Sequence, residues 1–318
     1  MIVTLFLSLA LQQSAGDSVV AKAKATIAPL TDSVALRAAG FSPLGFGRVR
    51  DLTPFQGQHW LNLLRIVQNA PVDATAPSFV MYIPIRDTLR AVGVAYALRQ
   101  RLDAPVPETL LGVPAAWHAH VFCRNIPGEG AALADGAEDC EARGGQVGGL
   151  GGGRNGGGRS AVGAALGAAQ EIVMVHAWTV PNPDGPYAHD NPALPYLATG
   201  LTPPAKMTKD DRQFAIALGE TYGAKPPMAI RIDFEAAKDG MDAVLTARRQ
   251  AMKALVPQLA DAEKRRDTAQ FDALRKKMIS EWNALHSAYA ALAKTPQIKD
   301  RLDAEIAQLL GDMSHMHH

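Results

Sequence analysis

The period of the hydrophobic pattern changes along the chain, and this change limits the folds that the chain can adopt. Before residue 204, short apolar runs rich in Val, Ile and Tyr predict strands at residues 78–86, 91–100, 115–123 and 171–180. After residue 204, apolar residues recur every three or four positions, which predicts amphipathic helices. The sequence therefore predicts an α+β protein: an antiparallel β-rich domain over residues 17–203, then an α-helical region over residues 204–318.

Three apolar stripes predict how the helical region is organised. Thr208 is placed to cap a helix over residues 209–221. The stripes that follow consist of Met241, Leu245, Met252, Leu255 and Leu259, then Phe271, Leu274, Met278, Leu285, Tyr289 and Leu292, then Ile298, Leu302, Ile306, Leu309 and Met313. Because the breaks between them are short, we expect an antiparallel helical hairpin or three-helix bundle. The charged residues between the stripes indicate a solvated face, with a partner-binding face that forms a homo-oligomer as the alternative.

A Gly- and Ala-rich stretch over residues 126–167 separates the third and fourth predicted strands. Its centre, residues 144–158, offers only Val147 and Leu150 as apolar side chains to bury. Such a segment does not offset the entropy of ordering, so we expect a flexible surface loop. No Gly-Lys-Ser/Thr follows the glycines, which argues against a phosphate-binding loop.

The first sixteen residues have the pattern of a secretory signal peptide. An apolar run over residues 2–11 is too short to span a membrane, and Ser14 and Gly16 are small residues placed for cleavage before Asp17. A buried N-terminal helix or strand is the alternative. We therefore expect a periplasmic or secreted protein whose mature chain has no integral membrane span.

The two cysteines and the net charge narrow the classes of partner further. In an oxidising compartment, Cys123 and Cys140 predict a disulfide that stabilises the fold by roughly 3 kcal/mol. Two thiolate metal ligands beside His118 and His120 are the competing interpretation. The formal charge of +1 gives no reason to expect nucleic acid or an anionic membrane as a partner.

Four histidines in strand-like, Trp-flanked contexts are the candidate site. They are His59, His118, His120 and His176. His118 and His120 are two residues apart, so on a strand they point to the same face. Such a pair is a common basis for zinc and copper sites when other strands supply further ligands, and neighbouring Trp side chains would provide a low-dielectric wall. In the alternative interpretation each histidine satisfies a buried hydrogen bond.

Two other segments contain residues that bind metals. His189 and Asp190 follow the fourth predicted strand in a turn rich in Asn and Pro. One interpretation is that they act as a metal ligand or general base, and the other is that they simply shape the turn. The tail from Met313 to His318 alternates Met and His, which bind Cu or Ni, although a chance ending or an expression tag would have the same composition.

The order of these motifs resembles that of a group of uncharacterised secreted bacterial proteins. The motifs are Gln58-His59-Trp60, Trp117-His118-Ala119-His120, and His176-Ala177-Trp178 followed by Asn182-Pro183-Asp184-Gly185. The resemblance covers roughly residues 41–197 and implies a shared fold and a shared histidine site, without a known activity. The long glycine-rich stretch of this chain departs from the compact pattern of that group.

The combined prediction is an exported protein that binds zinc or copper through His59, His118, His120 and His176. An open coordination position would allow metal-assisted hydrolysis or redox chemistry. The alternative is a non-enzymatic envelope protein whose helices mediate assembly and whose histidines are structural.

Overall fold

Every strand among the described residues lies before residue 204 and only helices follow it, which confirms the α+β class. The computed structural model describes residues 16–44, 52–85, 88–102, 104–126, 130–134, 136–142, 144–147, 170–222, 241–292 and 296–310. Of the proposed signal peptide, only Gly16 lies within the described residues. The tail from Met313 to His318 lies wholly outside them.

An antiparallel sheet forms the N-terminal part of the molecule. Its strands are β1 (Ser42–Pro43), β2 (Leu52–Thr53), β3 (Gly57–Leu61), β4 (Phe79–Ile85), β5 (Thr88–Arg101), β8 (His118–Ile126), β9 (Gly130–Ala134), β10 (Gln146–Val147) and β11 (Gln170–Trp178). The order across the sheet is β1-β3-β4-β5-β11-β8-β10, with β2 paired to β3 and β9 paired to β8. A separate two-stranded ribbon joins β6 (Thr109–Leu110) to β7 (Val113–Pro114). Strands β4 and β5, which correspond to the first two predicted strands, form a hairpin in which Ile85 pairs with Thr88.

The sheet curls so that one face is concave. In β5 the residues on this face are small, Gly93, Ala95 and Ala97, so neighbouring strands can bend inward over them. Val92 is an extra residue in β5, because Met81 pairs with Gly93 and the next residue, Tyr82, pairs with Ala91. Such a bulge bends a strand and increases its twist. At Gly93 an added Cβ would lie 2.7 Å from the end of the Met81 side chain and 3.0 Å from the Ala177 carbonyl oxygen, so these neighbours would have to shift.

The N-terminal helices cover the convex face. They are α1 (residues 16–27) and α2 (Ser33–Ala38), and their buried residues pack on Val80, Val94 and Val175 of the sheet. Two tyrosine hydroxyls fix this layer: Tyr82 donates to the Leu30 carbonyl at 2.7 Å and Tyr187 donates to the Gly16 carbonyl at 2.6 Å.

The helices that follow the last strand form a second core beside the sheet. Two short helices, α3 (Leu63–Gln68) and α4 (Ala137–Ala142), pack on the strands, and α5 (Leu194–Thr199) leads into the helical region. That region contains α6 (Lys209–Thr221), α7 (Met241–Lys264), α8 (Thr268–Leu292) and α9 (Pro296–Leu310). Thr208 caps α6 in a capping box with Asp211, as its position in the sequence predicts. The helical core also takes up Phe55, which comes from the turn before β3.

Part of the glycine-rich stretch is ordered, contrary to the prediction of a single loop over residues 126–167. The segment contains β9, α4 and β10, while residues 148–169 lie outside the described residues. Cys123 and Cys140 form a disulfide that fastens α4 to β8, so the thiolate-ligand interpretation is wrong. This covalent link, together with strand pairing to β8, supplies the stabilisation that the composition of the segment does not reveal.

Candidate functional site

The four predicted histidines project from the concave face of the sheet. His59 lies in β3 opposite Met81, and His176 lies in β11 opposite Ala95. His118 and His120 begin β8 and lie opposite Met174 and Ile172 of β11. Strands β3 and β11 are separated by two others, a distance of about 14 Å in a flat sheet. The curl therefore brings His59 to the histidines on the far strands.

The imidazole rings form one continuous cluster. The ring centroids of His59 and His176 are 5.6 Å apart, those of His176 and His118 are 5.0 Å apart, and those of His118 and His120 are 4.9 Å apart. His189 adds a fifth ring, 4.1 Å from His118 and 5.5 Å from His176. The structure thus brings together all four histidines singled out in the sequence and adds one from the turn after β11.

His176 is held in a defined tautomer at the centre of this cluster. Its side chain is buried, and Nδ1 donates a hydrogen bond to the His189 carbonyl at 2.5 Å. The proton of the neutral ring therefore lies on Nδ1, which leaves the lone pair on Nε2. That Nε2 is buried and has no hydrogen-bond partner among the described residues.

His118 has a similar environment. Its Nδ1 faces the Ala116 carbonyl at 3.4 Å, and its Nε2 is buried without a hydrogen-bond partner among the described residues. Burial lowers the pKa of His118 and of His176 well below the ordinary 6.5, and the neighbouring histidines lower both further. Both rings are therefore neutral at pH 7, which is the form that binds a metal ion.

His189 differs from the other rings because both of its nitrogens face polar side chains. Gln56 Nε2 lies 3.1 Å from His189 Nε2, and Asp190 Oδ1 lies 3.4 Å from His189 Nδ1. Gln56 also donates to Asp190 Oδ1 at 3.0 Å. Burial would raise the pKa of Asp190, but the charge and hydrogen bond of His189 outweigh it and hold this pKa at about 2. When the His189 ring is neutral, a proton on Nδ1 faces the Asp190 carboxylate and Nε2 accepts a hydrogen bond from Gln56.

The turn that carries His189 and Asp190 is fixed by its asparagines. Asn182 donates to the Asp190 carbonyl at 2.8 Å, and Asn191 donates to the Pro181 carbonyl at 3.2 Å. Asn191 is fully buried, and its backbone N–H donates to the Phe55 carbonyl at 2.9 Å. The Asn-Pro pattern of this turn therefore shapes the loop and holds His189 in contact with the cluster.

The Trp residues do not enclose the site as the sequence suggested. Trp178 lies on the concave face, with its ring 5.4 Å from that of His176. Trp60 and Trp117 pack in the core of the convex face instead, because side chains alternate along a strand. The apolar surroundings of the cluster include Phe79, whose ring lies 6.1 Å from that of His59.

The side chains are close together without forming a finished metal site. No group of three His, Cys, Asp or Glu side chains within the described residues has the arrangement needed to hold a metal ion. The rings of His176 and His189 are stacked, with an angle of 11° between their planes. A shared metal would require at least one ring to turn.

Sequence reasoning did not identify Gln56, although it lies beside the motif that contains His59. Nothing in the residue pattern distinguishes a turn glutamine that contacts His189 from a solvent-exposed one. The chain matches no protein-family model, no curated protein and no solved structure. Among the described helices, none combines the length and the apolar character needed to cross a membrane.

Proposed function

We propose that this chain is an exported protein that binds zinc or copper through its histidine cluster. The observation that carries the proposal is the pair of buried Nε2 atoms on His118 and His176, which have no hydrogen-bond partner among the described residues. Leaving a buried polar atom unpaired costs about 1–3 kcal/mol, so two such atoms in one cluster require an explanation. A bound metal ion supplies the missing partner for both.

The orientation of His176 supports this proposal. Metal-binding histidines generally donate their other ring N–H to a carbonyl or carboxylate, which fixes the tautomer and aims the lone pair at the metal. The hydrogen bond from His176 Nδ1 to the His189 carbonyl has this arrangement. A purely structural histidine at this position would be expected to use both nitrogens.

The spacing of the rings supports it as well. With metal–nitrogen distances of about 2.0–2.1 Å and tetrahedral angles, ring centroids of two ligands lie about 5 Å apart. The separation of His118 and His176 is 5.0 Å, and that of His118 and His120 is 4.9 Å. These ring separations suit two ligands of one metal ion, and a site formed by turning one or more of the rings would take His59 or His189 as a further ligand.

Export is the second part of the proposal. The apolar N-terminal run and the Cys123–Cys140 disulfide support a periplasmic or secreted location, since disulfides persist in oxidising compartments. A metal site with an open coordination position would add hydrolytic or redox chemistry. The neutral, His-rich donor set suits Zn(II) and Cu(II) better than Mg(II) or Ca(II), which prefer oxygen ligands.

The test is to measure bound zinc and copper by elemental mass spectrometry after equilibration with each ion. We expect near-stoichiometric binding by the parent protein, and loss of that binding in the His118→Ala/His176→Ala variant. The double variant also measures the background bound by the histidines of the C-terminal tail.

His286→Ala is the matched control. His286 lies in α8, stacked on Trp282 at 5.5 Å, and its Nε2 is also buried without a hydrogen-bond partner in the described part of the chain. Its removal should leave metal binding unchanged. Equal metal content in the parent and the His118→Ala/His176→Ala variant would refute the proposal and favour structural histidines.

A further inference from the structure

We propose that Gln56 and His189 form a hydrogen-bond latch over the histidine cluster. His189 joins His118 and His176 as a metal ligand only when its ring turns away from Gln56, so the latch controls the affinity and exchange rate of the metal. This inference rests on the proposed metal-binding function and concerns the regulation of the same site.

The position of His189 is the first argument. Its ring lies closer to His118 than any other ring does, with 4.1 Å between centroids, yet its Nε2 faces Gln56 rather than the cluster. The side chain of His189 is 30% exposed, whereas His59 and His176 are 4% and 1% exposed. The ring of His189 is therefore less enclosed than those of His59 and His176 and has more room than they have to change its rotamer.

The fixed backbone on either side is the second argument. Hydrogen bonds from Asn182 and Asn191 hold the turn that contains His189, so rotation is confined to its side chain. The carbonyl of His189 also accepts the hydrogen bond from His176 Nδ1. The same residue thus orients one ligand with its backbone while its ring remains available as another.

The anchoring of Gln56 is the third argument. Its neighbour Phe55 is 1% exposed within the helical core, and Tyr222 donates to the Pro54 carbonyl at 3.2 Å. Gln56 is therefore held from the helical side and does not follow His189 when that ring turns. A metal ion must compete with this hydrogen bond for Nε2 of His189. Because the helical region holds the backbone next to Gln56, it helps to determine how strongly Gln56 competes with the metal.

The experiment compares zinc affinity, by competition with a chromogenic chelator, and zinc release, by stopped-flow transfer to an excess chelator. Gln56→Met keeps the length of the side chain and removes the hydrogen bond. We expect it to bind zinc about fivefold more tightly than the parent, because one competing hydrogen bond is lost. His189→Ala should bind zinc at least roughly tenfold more weakly and release it faster, since a ligand is missing.

Gln58→Met is the matched control, because Gln58 pairs with Tyr82 and lies on the face of β3 opposite to that of His59. It should bind and release zinc as the parent does, and circular dichroism checks that every variant is folded. A His189→Ala variant with parental affinity and release rate would overturn the latch while leaving the metal site intact. If the parent binds no more zinc than His118→Ala/His176→Ala, the proposed function itself fails, and the latch fails with it.

Discussion

Replacing Asp190 by Asn removes the negative charge that faces His189 while keeping an acceptor for Gln56. The side chain of Asp190 is 18% exposed, and its Oδ1 lies 3.4 Å from His189 Nδ1. Its pKa in the folded protein is about 2, against an ordinary value of 3.8. Because each pH unit by which folding lowers the pKa is worth about 1.4 kcal/mol, the ionised carboxylate stabilises the fold by roughly 2 kcal/mol.

The sign of the pH dependence follows from the lowered pKa. Because folding lowers the pKa of Asp190, its contribution is fully present above about pH 4 and is lost as the pH falls through about 2. We expect Asp190→Asn to lower the free energy of unfolding by roughly 2 kcal/mol at pH 5.5, where the carboxylate is ionised in both the folded and the unfolded chain. The difference between variant and parent should shrink towards zero between pH 4 and pH 2.

The assay is urea unfolding of both proteins in the presence of a chelator, followed by tryptophan fluorescence at several pH values. The chelator separates the stability of the fold from any contribution of bound metal. A variant as stable as the parent at pH 5.5 would refute the argument that the Asp190 charge is stabilised by its partners. A loss of stability that stays constant from pH 5.5 to pH 2 would refute the assignment to ionisation.

Three further predictions concern the scaffold around the site. Reducing the Cys123–Cys140 disulfide, which joins residues 17 positions apart, should lower the free energy of unfolding by about 3 kcal/mol in urea titrations with and without reductant. Gly57→Ala should destabilise the fold by more than about 1 kcal/mol, measured as a lower melting temperature, because φ is +72° and the new Cβ would collide with the Tyr82 carbonyl. Thr208→Ala should cost about 1 kcal/mol in urea unfolding, since the cap of α6 is lost.

Each of these predictions has an outcome that contradicts it. Identical urea midpoints for the oxidised and reduced proteins would show that the disulfide does not stabilise the fold by lowering the conformational entropy of the unfolded chain. Parental stability of Gly57→Ala would mean that the turn before β3 relaxes without strain. For Thr208, the variant Thr208→Ser is the control that retains the cap, and it should unfold close to the parent.

Local patterns in the sequence were sufficient for much of the fold. Alternating and β-branched runs identified β4, β5, β8 and β11, and the capping residue Thr208 identified the start of α6. β3 was not among the four predicted strands, although the sequence around His59 was recognised as strand-like. Its five residues are held by pairing with β4, and this contact between separate segments cannot be read from the local sequence. The ordered part of the glycine-rich stretch depends in the same way on the disulfide and on pairing with β8.

The sequence identified the four histidines of the site, but it predicted their spatial arrangement only in part. The two-residue spacing of His118 and His120 on one strand indicates a shared face, which the 4.9 Å ring separation confirms. The approach of His59 to His176 depends on the curl of the sheet, which small residues in β5 and the bulge at Val92 produce together. The contact between Gln56 and His189 joins residues 133 positions apart, so no local pattern contains it.

X-ray absorption spectroscopy on the zinc-loaded protein tests the central claim most directly. The account predicts a shell of nitrogen ligands at about 2.0 Å with the multiple-scattering features of imidazole, from a site that His118→Ala/His176→Ala removes. Sulfur should be absent from this shell, because Cys123 and Cys140 are joined in the disulfide. A shell of oxygen atoms alone, or a spectrum identical in the parent and the double variant, would contradict the assignment of the histidine cluster as a metal site.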